Sequence, residues 1–370
     1  MKVEREIAGF ALPFAAGVLL ASLQDIVPYH ILSAVTMVLC TCAAGFGTQI
    51  RAHKIPAFAG WTVLIILALC CGIFCFSNAF LIETGSVGTL FGLTGSFAER
   101  CCAIVQNRID NIAFRQEETS AIIKALLTGE KADIHPDIRA AFRKSGASHI
   151  LALSGMHLGI IYGMVHKGLS VLGNRPAAKL TRTLLLCTAC CFYTLAVGAG
   201  ESIVRAFIFI LINESAGLAL RYKSLKHTLL LALVIQLVIS PLSISSVSFQ
   251  LSYAAMAGIA FIHPRLKNFW PDKEGRPGTR GIFAKLWDSA SLSISCQITT
   301  APIAWHYFRT FPAYFILTNL IAIPLTCLII PSAILCTALH SAGICPEMIL
   351  NITEGLVQGL IWSLSVIASM

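Results

Sequence analysis

The chain has 370 residues, of which 56% are hydrophobic and only 12% charged, with a formal net charge of +9 and a mean hydropathy of +0.78. A soluble domain carries roughly 25% charged residues, so too few groups remain here to coat a water-facing surface, and a soluble enzyme is excluded. Apolar stretches recur from residue 7 to residue 369 without a fixed period, which also excludes a disordered chain and a repeat solenoid.

The composition predicts an all-α fold: a polytopic integral membrane bundle of about ten or eleven spans, each needing about 20 apolar residues. In chain order the candidates are 7–24, 30–49, 57–82, 149–166, 183–199, 202–220, 228–246, 248–263, 289–306, 313–340 and 349–369. Residues 1–23 start with Lys2 and Arg5, as a signal peptide would, but the apolar run Ile7 to Leu23 is longer than a usual signal core and reads as a retained first span. The stretch 313–340 contains Pro324 and Pro331 and reads as one kinked helix or two broken halves. Four regions follow: a three-span region (1–95), external amphipathic helices (96–148), the main membrane bundle (149–345) and a last span (346–370).

Positive charge alternates as two-sided threading demands. The amino terminus and the loops with Arg51 and Lys54, with Lys167, Arg175, Lys179 and Arg182, with Arg221, Lys223 and Lys226, and from Arg265 to Lys285 hold most of the 27 basic residues and are predicted cytoplasmic. The loops at Asp25, Gly200 and Ser243 are free of basic residues and fall outside. The net charge is therefore mostly topological, not a nucleic-acid footprint in itself.

Residues 96–148 would lie outside, yet carry many charges of both signs. Phe97, Cys101, Val105, Ile109 and Ile112 recur at helical spacing opposite Arg100, Gln106, Asn107 and Asp110, the pattern of an interfacial helix. A second helix is expected from Glu117 to Leu127, ending at Gly129. A third has Pro136 at its first position, Asp137 in its first turn, Arg143 and Lys144 in its last, and Gly146 beyond. These helices are expected to cover one mouth of the bundle, with Arg139, Arg143 and Lys144 beside the opening.

Two constellations carry polar chemistry into apolar stretches. Gly155, Gly159 and Gly163 form a small-residue stripe for helix packing. Ser154 sits beside that stripe and His157 nearly opposite it, either as interhelical glue or on a hydrated path. Further on, Glu201 and Arg205 stand four apart at a helix start, as a structural ion pair or a functional one. An Arg inside a span costs about 2.5–3.5 kcal/mol on insertion scales and must face protein, a partner or water. Gln236, Gln250, Ser252, Gln297, Thr299, Thr300 and Asn319 add polar groups to other spans. His157, Ser154, Arg205, Glu201, Gln250 and Asn319 are the candidate translocation path.

Most of the 14 cysteines lie in apolar stretches, where Cys packs as a small hydrophobe. Cys187 and Cys190 have C-x-x-C spacing without a second pair or a nearby His. No phosphate-binding Gly-Lys loop, zinc helix or nucleophile elbow is present, so no catalytic residue, metal or other cofactor is expected, and transport would need a gradient or a partner.

Leu126 to Lys131, Phe142 to Gly146, Ser148 to Gly159, Ser202 to Ala206, Ser248 to Tyr253 and Thr318 to Pro324 resemble, in sequence and order, the competence domain of the ComEC family. The Ser148 to Gly159 stretch is the most specific, and the resemblance covers about residues 96–340. It implies an inner-membrane channel that passes single-stranded DNA into the cytoplasm during natural transformation. Separate DNA-binding and nuclease or motor proteins are its expected partners, with membrane lipid around it and a homo-oligomer left open. Where family members commonly carry an OB-like domain, only residues 83–95 stand, and a metallo-β-lactamase-like domain is not expected before Met370. Glu201 replaces a Pro of the family pattern, placing negative charge where a polyanion would pass. The alternatives are a proton-coupled transporter of another solute, relayed through Glu201, Glu214 or His157, and a membrane scaffold.

Overall fold

The computed structural model describes residues 2–23, 36, 65, 68–73, 75–76, 89–173, 176–218, 224–269, 280–309 and 314–370. Candidate spans 30–49 and 57–82 fall largely outside these residues. So do the loops at Asp25 and at Arg51 and Lys54, together with Arg175, Arg221, Lys223 and residues 270–279. The described residues form helices and connecting turns, with no strand among them. In chain order the helices are α1 (Lys2–Leu23), α2 (Thr89–Asp110), α3 (Glu117–Thr128), α4 (Pro136–Lys144), α5 (Ser148–Leu151), α6 (Gly155–Leu169) and α7 (Pro176–Ala196). There follow α8 (Glu201–Leu218), α9 (Leu225–Ile239), α10 (Val247–Ala257), α11 (His263–Lys267), α12 (Arg280–Phe308), α13 (Phe315–Ser341) and α14 (Glu347–Ser369).

Among the described residues, α13 and α14 are the two helices long and apolar enough to cross a bilayer, while Ile7–Leu23 and α9 are apolar but shorter. The ten or eleven expected spans thus have two such helices in the described structure. Pro324 and Pro331 do not break α13, which runs unbroken through both. Each removes one backbone donor, and the helix continues around the loss. The span expected at 149–166 is interrupted instead: α5 ends at Leu151, and α6 starts at Gly155 after Ser154 in extended backbone.

The chain divides into two compact units. The first comprises Met1–Gly92 and Ile208–Tyr253. Its core gathers Phe14, Val18, Ala68, Phe76, Leu237, Ile244 and Phe249. A Cβ on Gly17 would lie 2.0 Å from the Leu69 carbonyl oxygen, and one on Gly72 2.0 Å from that of Phe14, so glycine at both positions lets two helical backbones touch. The Tyr253 hydroxyl donates to Gln236 Oε1 at 2.9 Å, which satisfies two polar side chains inside this unit.

The second unit comprises Leu93–Phe207 and Ala254–Met370. At its centre lies α3. Every residue from Ala121 to Leu127 is buried: its Ala, Ile and Leu side chains surround the helix axis and call for enclosure, while Lys124 among them is paired with carboxylates. Ile122, Ile123 and Leu126 share a core with Ile329, Ile330 and Ala333 of α13 and Val357, Leu360 and Leu364 of α14. Within the stretch 96–148, α3 is part of the packed core. In α2, Ile109 and Ala98 are buried, while Phe97, Ile104 and Val105 remain exposed. The start of α4 matches its predicted punctuation: Pro136 opens it and the His135 side chain accepts the Asp137 N–H. Gly129 and Gly146 follow α3 and α4 at φ +83° each, a conformation that favours glycine.

Candidate functional site

Ser154 caps α6, its Oγ accepting the Met156 N–H at 3.3 Å. His157 completes a capping box from the third position: its Nδ1 accepts the Ser154 N–H at 3.2 Å and lies 3.1 Å from Ser154 Oγ. That bond assigns the ring proton to Nε2. The residue is fully buried, and Nε2 meets no hydrogen-bond partner among the described residues. An unpaired donor in such a place is costly.

Gly155, the next residue, brings α6 against the start of α8. A Cβ there would lie 3.1 Å from Ala206 Cβ and 3.2 Å from Arg205 Nη2. The Arg205 guanidinium thus rests over a residue with no side chain, 8% exposed, in the second turn of α8. Beside it is the amino-terminal turn of α6, whose backbone N–H groups add positive potential. Glu201 opens α8 one turn earlier.

Helix α12 links further polar groups in this unit. Cys296 lies within electrostatic reach of Arg205, and its thiol faces the Ala255 carbonyl at 3.8 Å. One turn before it, Ser293 Oγ accepts the Asn319 amide of α13 at 3.4 Å, leaving Asn319 Oδ1 buried without a partner among the described residues. Residues three apart share a helix face, so Arg205 and Asn319 approach neighbouring turns of α12. A π-helical turn, Gly258–Ile262, leans on the same helix: a Cβ on Gly258 would stand 2.3 Å from the Ser295 carbonyl oxygen. Such turns interrupt α-helices frequently at functional sites.

The structure therefore brings Ser154, His157, Gly155 and Arg205 together, with Asn319 one helix away. Gln250 belongs to the first unit, where its amide donates to the Ile244 carbonyl at 3.0 Å. The close approach expected of the glycine stripe is confined to Gly155, since a Cβ on Gly159 or Gly163 meets nothing within 4 Å among the described residues. The physical reason is that α6 and α8 touch at their amino-terminal ends, not along their length. Arg139, Arg143 and Lys144 are exposed on α4. Among the described residues no three His, Cys, Asp or Glu side chains gather to hold a metal.

Two charged groups absent from the predicted site, Lys124 and Glu354, are buried in the same unit. Lys124, inside the otherwise apolar run of α3, pairs with Asp110 at 2.7 Å and with Asp133. Burial pulls its ammonium down, but the two carboxylates outweigh this and hold it above the ordinary lysine value. Glu354 of α14 accepts the Gln116 N–H at the start of α3 at 3.0 Å, and Gln358 donates to Thr119 Oγ1 at 3.2 Å. A charged residue within an apolar run, as in Ile122 to Leu127, is the signal that marks such positions.

The competence protein family matches residues 126–370, a stretch that contains α4 to α14 and every residue of the capped site. The chain belongs to this family, of the ComEC type. Among curated relatives, ComE operon protein 3 of Bacillus subtilis is 22% identical over 223 residues, covering 59% of this chain and 26% of that protein. The Uncharacterized protein YcaI of Escherichia coli is 24% identical over 234 residues, covering 60% of this chain and 30% of that protein. The chain spans less than a third of the length of either relative in these matches. No solved structure matches it. Within the family match, α3 is included only from Leu126 onward, whereas Lys124 and Glu117 precede it.

Proposed function

We propose that the chain is a multi-pass component of a bacterial inner-membrane channel that conducts single-stranded DNA into the cytoplasm. Family membership supports a role in competence, and the apolar helices support the bilayer as its solvent. The observation that carries the conducting role is the guanidinium of Arg205, seated over Gly155 beside the amino-terminal turn of α6. A phosphodiester entering low dielectric needs fixed positive charge in exchange for its water. Arg205 supplies a full charge and the helix end a partial one. The channel makes no covalent change to the strand. A gradient or separate DNA-binding, nuclease or motor proteins drive it.

Replacing Arg205 with Ala is expected to reduce import of labelled DNA into the cytoplasm by at least about ten-fold, the value of a 1.4 kcal/mol loss at one site. Membrane abundance of the variant should equal wild type. Import at wild-type rate by an abundant Arg205→Ala protein would overturn the reading. A second reading, proton-coupled transport of another solute, draws on the buried imidazole of His157. It requires solute flux that follows the proton gradient in vesicles without DNA.

A further inference from the structure

Outside the capped site, a cavity of about 550 Å³ opens on the flank of α4. Its polar lining is Lys131, Arg139, Arg143 and Ser148, with Ile134 and Leu151 among its apolar walls. Arg139 and Arg143 are four apart and share a face of α4. The Arg139 guanidinium donates to the Lys131 carbonyl, which holds the loop and the helix together. None of these three cations forms a salt bridge among the described residues. The acids nearby are engaged elsewhere. Asp133 pairs with Lys124, Glu130 accepts the Ala132 N–H at 2.8 Å, and Asp137 faces His135 at 3.5 Å. Three positive charges with no direct carboxylate partner therefore line one concavity, and its apolar walls strengthen their field.

We propose that this cavity is a capture site for a phosphodiester of a nucleic-acid strand, separate from Arg205. The inference rests on the strand-conducting reading and adds the place where the strand is first held. Guanidinium groups match phosphate oxygens bidentately, and two of them with an ammonium suit a phosphate carrying a sugar. At about 550 Å³ and open to solvent on one side, the cavity has room for a phosphate and its sugar while the strand continues outside it. A lipid headgroup carries the same phosphate, but its acyl chains need apolar surface at the rim. No large apolar side chain is exposed between residues 130 and 150, so the rim suits a strand in water.

The test uses the full-length chain in detergent, with a short fluorescein-labelled oligothymidylate as probe and anisotropy as readout. The triple variant Lys131→Gln, Arg139→Gln, Arg143→Gln is expected to bind about ten-fold more weakly at low salt, and its log-affinity against log-salt slope should fall by about 2, since each strand phosphate contact contributes about 0.7. Lys167→Gln, which removes an exposed cation at the end of α6 outside the cavity lining, should retain both affinity and slope. An unchanged slope in the triple variant overturns the capture site whatever happens to import. A lost slope together with normal import by Arg205→Ala leaves the capture site standing and removes the conducting role of Arg205. Short-chain phosphatidylglycerol that binds wild type, and loses affinity in the triple variant while the oligothymidylate does not, also overturns the proposal. On wild-type protein, bound oligothymidylate should protect Lys131 from amine acetylation more than Lys144, measured by mass spectrometry. Equal protection of the two lysines overturns the proposal without recourse to any variant.

Discussion

An imidazole at the third position of a capping box gives the cap a property that Glu or Gln lacks. His157 accepts the Ser154 N–H through Nδ1 only while that nitrogen is unprotonated, and as a neutral ring it caps α6 without placing a negative charge beside Arg205. Lys124 shows the opposite solution, a charge kept inside apolar surroundings by two carboxylates. Lys124→Met is expected to lower stability by about 1–3 kcal/mol, because Asp110 and Asp133 lose their partner while partly open to water. Thermal unfolding in detergent measures this. The folded ammonium titrates above its ordinary value, so its contribution is complete below about pH 10.4 and is lost as pH rises through the folded value. The wild-type advantage over Lys124→Met should therefore stay constant from neutral pH to about pH 9 and shrink above pH 10.4. Ser154, Arg205 and Gly155 were legible in the sequence as polar or small residues in apolar stretches. The cap was not, because His157 stands where the Ser-x-x-Glu/Gln pattern would announce it.

At the scale of elements, α4 was readable because Pro136, Asp137, Arg143 and Gly146 mark its ends by local chemistry. The burial of α3 was hidden for a related reason. Its acidic first turn, Glu117 and Glu118, looks like a solvated helix start, while the α13 and α14 residues that enclose it lie some 200 positions away. Periodicity reports one helix at a time and is silent about what surrounds it. The break between α5 and α6 was missed because apolar residues continue across it from Ile150 to Leu153. The π-helical turn at Gly258 makes an element-scale prediction. Adding even a methyl group places a Cβ 2.3 Å from the Ser295 carbonyl oxygen, and two backbones cannot yield as a flexible side chain would. Gly258→Ala should lower the unfolding free energy by about 1–3 kcal/mol, the usual cost of overpacking. A melting point equal to wild type would show that α12 can move aside.

For the whole molecule, the deciding elements are α13 and α14, an antiparallel hairpin turned at Gly343, φ +72°, with the Tyr314 hydroxyl 3.4 Å from the Met370 carbonyl at its open end. Both helices are long enough to span, so in the proposed channel the turn and the open end face opposite compartments. Cysteines placed at Gly343 and at Met370 of a cysteine-free chain should react with a membrane-impermeant maleimide from opposite sides of sealed vesicles. Labelling of both from one side would remove the spanning hairpin. The same hairpin has a consequence for biosynthesis. Gln116 meets Glu354 across 238 positions and Thr119 meets Gln358 across 239, so the residues that shelter α3 leave the ribosome long after α3 itself. Until they emerge, that greasy segment has no permanent home and is exposed to mispairing.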